Sequence, residues 1–300
     1  MPVSEFVSTQ RAVETEANLI QQDTLERLIL AVQKAFSGWS TAAAINRHLV
    51  ELANLELLTT SSLIHTVAVE FAELNAADKT KLVTQVNKAL GPLGSIKEST
   101  KNMRTGGVNL ISREFRRLSS QNLLDKDIQQ ALIGTRQAKF QDGLLSTISR
   151  SAGVNARTAS KIGVEVGKEQ AREQDPEIIG YQWVSTLDGR TSTVCMQLNG
   201  TKYYYNRSGF KPLPPAHPNC RSTTQPLYKN PSKNEPVETL QSWAKNNPKE
   251  LKEAMGPGRY KLYTEGKLKI ERFNDVAITP LTLKELKVKN AKAAERADLL

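Results

Sequence analysis

The sequence predicts an α+β protein that is predominantly α: a helical N-terminal region, a small β-hairpin-containing module with a Pro-rich loop, and a helical C-terminal segment. Three observations lead there. Apolar residues recur at helical spacing through most of the first 175 positions. Tyr181, Trp183, Val184, Val194 and the Tyr203-Tyr204-Tyr205 triplet then cluster around the turn dipeptides Asp188-Gly189 and Asn199-Gly200. Residues 206–236 next hold 7 of the 13 prolines, which predicts an ordered loop. The expected organisation is therefore 1–175 helical, 176–235 a small α+β module, and 236–300 helical.

Each element follows from its local pattern. Leu25, Leu28, Ile29, Val32 and Phe36 form an apolar face, with Asp23 as its expected cap. Ile64, Val67, Ala68 and Phe71 repeat the spacing, as do Leu82, Val83, Val86 and Leu90 between Asp78 and Gly91-Pro92. Such narrow faces suit helices packed on one another. Residues 94–109, with Gly106-Gly107 inside, predict a loop or hinge. Phe140, Leu144, Leu145 and Ile148 mark a further helix, Asn155–Gln174 another, and Gln174-Asp175-Pro176 ends the helical region. The two dipeptide turns predict short hairpins. Helices are expected again at Val237–Asn246, Lys249–Met255 and Leu283–Leu299, with a short turn near Tyr260.

Composition narrows the function classes. Mean hydropathy is −0.44, and no run of 18 or more apolar residues occurs, so no membrane span is expected. Met1–Glu16 lacks an apolar core, which argues against a secretory signal. Two cysteines exclude a disulfide framework and fit a reducing compartment, leaving a Cys195–Cys220 bridge open. The net charge of +10 is uneven: residues 1–100 carry 8 Lys/Arg against 11 Asp/Glu. Between 181 and 230, Arg190, Lys202, Arg207, Lys211, Arg221 and Lys229 face Asp188 alone. That surplus suits nucleic acid or an acidic protein face, and an ordinary solubilising surface equally well.

The chemistry-bearing residues gather in one place. Cys195, His217 and Cys220 fall within 26 positions of a chain that holds three histidines. Thiolates and an imidazole suit zinc, and His-x-x-Cys lets two ligands share a turn. A closed structural site needs four ligands, however, so the expectation is no resident metal and no cofactor, with zinc at Cys195, His217 and Cys220 as the competing reading. A Cys–His hydrolase needs an oriented base and an oxyanion hole that the sequence does not announce. No Gly-rich phosphate loop is present. The string from Leu144 to Ile162, with Ala152-Gly153-Val154 as its turn, fits a helix-turn-helix in which Arg157, Thr158 and Lys161 face a DNA groove; two packed helices joined by a Gly turn fit it as well.

Three segments together resemble the phage Mu F-like head morphogenesis proteins, the minor head proteins of tailed phages, over about residues 150–230. They are Ala156-Arg157-Thr158-Ala159; the set Trp183, Asp188, Arg190, Cys195, Leu198 and Gly200; and the loop Pro214-Pro215-Ala216-His217-Pro218-Asn219-Cys220-Arg221. Their order and spacing agree with the family. Where many relatives carry further cysteines this chain has Ser192 and Ser222, and Ala159 replaces a frequent Glu.

The resemblance implies a structural rather than enzymatic protein of the phage head, found in the head interior and, during assembly, in the host cytoplasm. It would sit near the portal in multiple copies, binding portal or capsid proteins and contacting packaged DNA without sequence preference. Arg190, Lys202, Arg207, Lys211 and Arg221 are the expected phosphate-facing residues. Asp188, Arg190, Cys195, His217, Asn219, Cys220 and Arg221 form the expected structural motif. Prolines stiffen the loop, His217 and Asn219 hydrogen-bond its backbone, and an Arg221–Asp188 fork ties it to the preceding turn. A helix-turn-helix DNA-binding protein is the alternative, and a Cys–His hydrolase a further one.

Overall fold

In the computed structural model, which describes residues 3–38, 41–76, 82–90, 95–209, 211–274 and 280–289, helices dominate because apolar residues recur every three or four positions along long stretches. The chain divides into two compact units: residues 1–174 with 217–219, and residues 175–216 with 220–300. Segments 176–235 and 236–300, read separately from sequence, lie in the same unit apart from that three-residue piece.

The first unit contains α1 (Val3–Ser37), α2 (Ala42–Asn75), α3 (Leu82–Leu90), α4 (Ser95–Ser119), α5 (Asp125–Ile133) and α6 (Leu144–Glu173). Helix α6 packs against each of the other five. Its Ala152, Ala156 and Ala159 are fully buried, and their small side chains let neighbouring helices approach closely. At Gly163 the approach reaches its limit, since a Cβ there would collide with the carbonyl oxygen of Ala68 in α2. Leu28, Val32, Leu49, Leu57, Ile64, Ile111 and Phe115 fill the rest of the core. Two of the polar side chains in it are tied locally and across helices: Thr24 Oγ1 donates to the Ile20 carbonyl at 2.6 Å, and Ser99 Oγ donates to Asn155 Oδ1 at 2.7 Å. By length and composition alone the stretch Ala42–Leu74, which holds an 18-residue window of mean hydropathy 1.2, is apolar enough to cross a membrane. In the bundle, its Leu49, Ala53, Leu57 and Ile64 are buried against other helices.

Several sequence expectations are corrected here. Residues 95–109 form no hinge: α4 runs unbroken through Gly106-Gly107, and Gly107 instead admits Leu57 and Ile148 to van der Waals contact. The helices expected on either side of Gly153 are one helix, α6, so this segment forms no helix-turn-helix. Gly153 serves close packing, facing Gln21. Lys161, expected to face a groove, is buried and lies 3.7 Å from Glu165. Asp23 caps nothing; it sits inside α1 and pairs with Arg27 at 2.8 Å. Phe140 stands outside α6 with φ of 60°, and Val83 is exposed. Asp78, Gly91-Pro92 and residues 290–299 of the last expected helix lie outside the described residues.

The second unit comprises β1 (Ile178–Val184), α7 (Thr193–Leu198), β2 (Lys202–Tyr204), β3 (Thr223–Tyr228), α8 (Leu240–Asn246), α9 (Pro248–Thr264) and α10 (Leu283–Lys289). Among the described residues its strands form an antiparallel sheet in the order β2-β1-β3. Gly180 in β1 needs to lack a Cβ, which would strike the Tyr203 carbonyl across the ladder. The expected hairpins at Asp188-Gly189 and Asn199-Gly200 are replaced by a turn, α7 and a second turn joining β1 to β2, so Val194 is helical rather than extended. The expected loop at 206–236 contains β3, and Pro226 is tolerated there because β3 is an edge strand. The turn expected near Tyr260 is part of α9, which bends at Gly256. Met196, Trp243, Leu251, Met255, Ile270 and Phe273 make one core of this unit, and Trp183, Val194, Cys195, Leu198 and Cys220 make another.

Candidate functional site

The turn from β1 into α7 is built around Asp188. Its Oδ1 accepts from the Arg190 amide at 2.8 Å, closing an Asx turn. Its two carboxylate oxygens also take both terminal nitrogens of Arg221, at 2.5 and 2.6 Å, in the expected fork. The Arg221 guanidinium is the largest cause that holds the Asp188 carboxyl well below its usual range, at about 2. Thr186 Oγ1 donates to the Arg221 carbonyl at 3.2 Å, and Thr191 Oγ1 donates to the Thr186 carbonyl at 2.6 Å. Residues 33 positions apart are thereby clamped into one piece.

Beneath this clamp lie the two thiols. Ser192 caps α7, its Oγ accepting from the Cys195 amide at 3.2 Å, which sets Cys195 in the first turn of the helix. Cys220, one residue before Arg221, brings its sulfur to 3.6 Å from that of Cys195, and both are buried thiols. A hydrogen bond with Cys220 is the largest effect on Cys195; with the hydroxyls of Ser192 and Ser222 it outweighs burial and lowers the thiol to about 7. Around the sulfurs, Trp183 Nε1 donates to Ser185 Oγ at 3.0 Å, Ser185 Oγ to the Cys195 carbonyl at 2.7 Å, and Ser222 Oγ to Ser185 Oγ at 3.2 Å.

His217 and Asn219 belong to the first unit. The Nδ1 of His217 pairs with the Pro218 carbonyl at 2.9 Å, the backbone role expected of it. Asn219, at φ of 58°, takes a left-handed conformation that Asn tolerates. Its side chain differs from expectation: Oδ1 accepts from Arg157 Nη1 at 2.8 Å, while the Asn219 backbone N–H donates to Thr158 Oγ1 at 3.2 Å. Arg157 also donates to Glu14 at 2.8 Å. Arg157 and Thr158, which the helix-turn-helix reading turns toward a DNA groove, are thus engaged within the protein.

The five expected phosphate-facing residues occupy different settings. Arg190, Lys202 and Arg207 are exposed. The Arg207 guanidinium lies 4.6 Å from the Tyr204 ring centroid, and Lys211 Nζ donates to the Arg207 carbonyl at 2.5 Å. Arg221 is committed to Asp188. For nucleophilic chemistry, the Cys195 thiol shares its hydrogen bond with another thiol and His217 Nδ1 is turned to its own loop, so a Cys–His base pair is not assembled by these bonds. A metal could draw on Cys195 and Cys220, with His217 three positions before Cys220 in the chain.

Sequence reasoning missed Ser185, Thr191 and Asn274. The Asn274 amide donates to the Thr193 carbonyl at 3.1 Å and to Gln197 Oε1 at 2.6 Å, fixing α7 from 77 or more residues away. No local pattern could have revealed it. No family model matches the chain, and no curated protein or solved structure matches it either.

Proposed function

We propose that this chain is a minor head protein of a tailed phage, acting in capsid assembly near the portal and touching packaged DNA through its phosphates. The supporting observation is that the residues carrying the family resemblance bond to one another. Asp188 grips Arg221, Cys195 meets Cys220, and Asn219 joins Arg157 and Thr158. Chance matches scattered over 65 positions would have no reason to pair in this way. Spent on internal bonds, these groups hold a loop in shape, which suits a protein that works by binding.

Arg190, Lys202, Arg207 and Lys211 are the cations left to meet phosphate, since Arg221 is neutralised by Asp188. Exposed leucines on the first unit, Leu19 and Leu30 in α1 and Leu55 and Leu58 in α2, offer apolar surface for portal or capsid subunits. The protein would act in several copies inside the head, after assembly in the host cytoplasm.

The test is retention on portal oligomer and on random-sequence duplex, run in parallel across a salt gradient. About four phosphate contacts predict a log–log salt slope of roughly −3 to −4 with little sequence preference. The triple change Arg190→Glu, Lys202→Glu and Arg207→Glu should flatten that slope and spare portal binding. Sequence-selective DNA binding without portal retention would overturn the proposal.

A further inference from the structure

We propose that Cys195 and Cys220 are the thiolate pair of a structural metal site for a divalent, thiophilic ion of the zinc class. The spacing points to this chemistry. Two thiolates each about 2.3 Å from a tetrahedral ion stand roughly 3.8 Å apart, whereas a linear ion would hold them about 4.6 Å apart. The sulfurs here are 3.6 Å apart. A disulfide, by contrast, requires about 2.05 Å, a much larger closure.

The surroundings agree. Hydroxyls lie beside these sulfurs: Ser192 and Ser222 both hydrogen-bond to the Cys195 side chain. Such donors are what a metal thiolate uses as its outer shell. Both cysteines are also held rigidly, Cys195 by the Ser192 cap and Cys220 by the Arg221–Asp188 fork beside it. Both thiolates belong to the second unit, and water can complete the tetrahedron. Burial is no obstacle, because structural ions load as the chain folds. An ion bridging α7 to the segment before β3 would reinforce the same junction that the Asp188 fork clamps.

The test is titration of the full-length chain, kept reduced by a phosphine, with Co²⁺. The expected result is one equivalent bound, with a sulfur-to-cobalt charge-transfer band and the visible bands of tetrahedral cobalt, all displaced by Zn²⁺. Cys195→Ser and Cys220→Ser should each diminish the charge-transfer band, with circular dichroism confirming that each variant folds. Should either fail to fold, alkylation of the native chain decides: one equivalent of Zn²⁺ should slow iodoacetamide modification of both cysteines about tenfold or more. Absence of the charge-transfer band, its survival undiminished in either variant, or unchanged alkylation overturns the site. The result is independent of portal and DNA retention, which are measured separately.

Discussion

At the scale of single residues, the bidentate Asp188–Arg221 fork sets a pH dependence. The folded carboxyl sits near 2, below its ordinary value of 3.8. A depressed carboxyl stabilises the fold fully above its unfolded pKa, and the benefit drains away as pH falls through the folded value. Asp188→Asn should therefore cost roughly 1–2 kcal/mol at pH 7, allowing for partial exposure of the pair. The gap between wild type and variant in urea denaturation should close between about pH 4 and pH 2. A gap that is constant over this range would mean the carboxylate charge contributes nothing. The fork was legible in the sequence because Arg221 lies in a stretch whose single acid is Asp188. The hydroxyl pair of Ser185 and Ser222 was not, since serines carry no spacing rule once they leave helix caps and turns.

At the scale of elements, periodicity identified most helices, but glycine was misread. A glycine inside a helical pattern signals either a break or a close approach, and sequence does not distinguish them. Here Gly107, Gly153 and Gly163 are packing residues, which is why both the expected hinge and the expected helix-turn-helix dissolved into continuous helices. Two substitutions separate the roles. Gly163→Ala should destabilise by about 1–3 kcal/mol net, because the methyl meets backbone that cannot yield. Gly106→Ala, with nothing within 4 Å of its added carbon, should stabilise by about 0.5–1 kcal/mol through helix propensity alone. Thermal melts of the two variants should move in opposite directions; a destabilised Gly106→Ala would mean α4 needs its flexibility. Strand β3 escaped the sequence reading for a parallel reason: prolines in number suggest a loop, yet one proline on an edge strand costs no ladder bond.

At the scale of the whole molecule, the first unit has one hydrophobic core and the second has two, and among the described residues none of the three draws on both units. Charge divides unevenly too: residues 175–300 hold 20 Lys/Arg against 13 Asp/Glu, while residues 1–174 hold 21 against 18. That boundary was legible, because a long helical pattern ended at Asp175-Pro176 and β-formers followed. The union of 176–235 with 236–300 was not, since it rests on long-range ties such as Asn274 to α7. Separate cores imply separate cooperativity, for a unit melts when its own buried surface is exposed. Calorimetry should therefore resolve two heat-absorption peaks. Gly163→Ala should lower the one belonging to the helical bundle, and Asp188→Asn the one belonging to the sheet-containing unit. A single peak that both substitutions lower equally would mean that the two units melt as one.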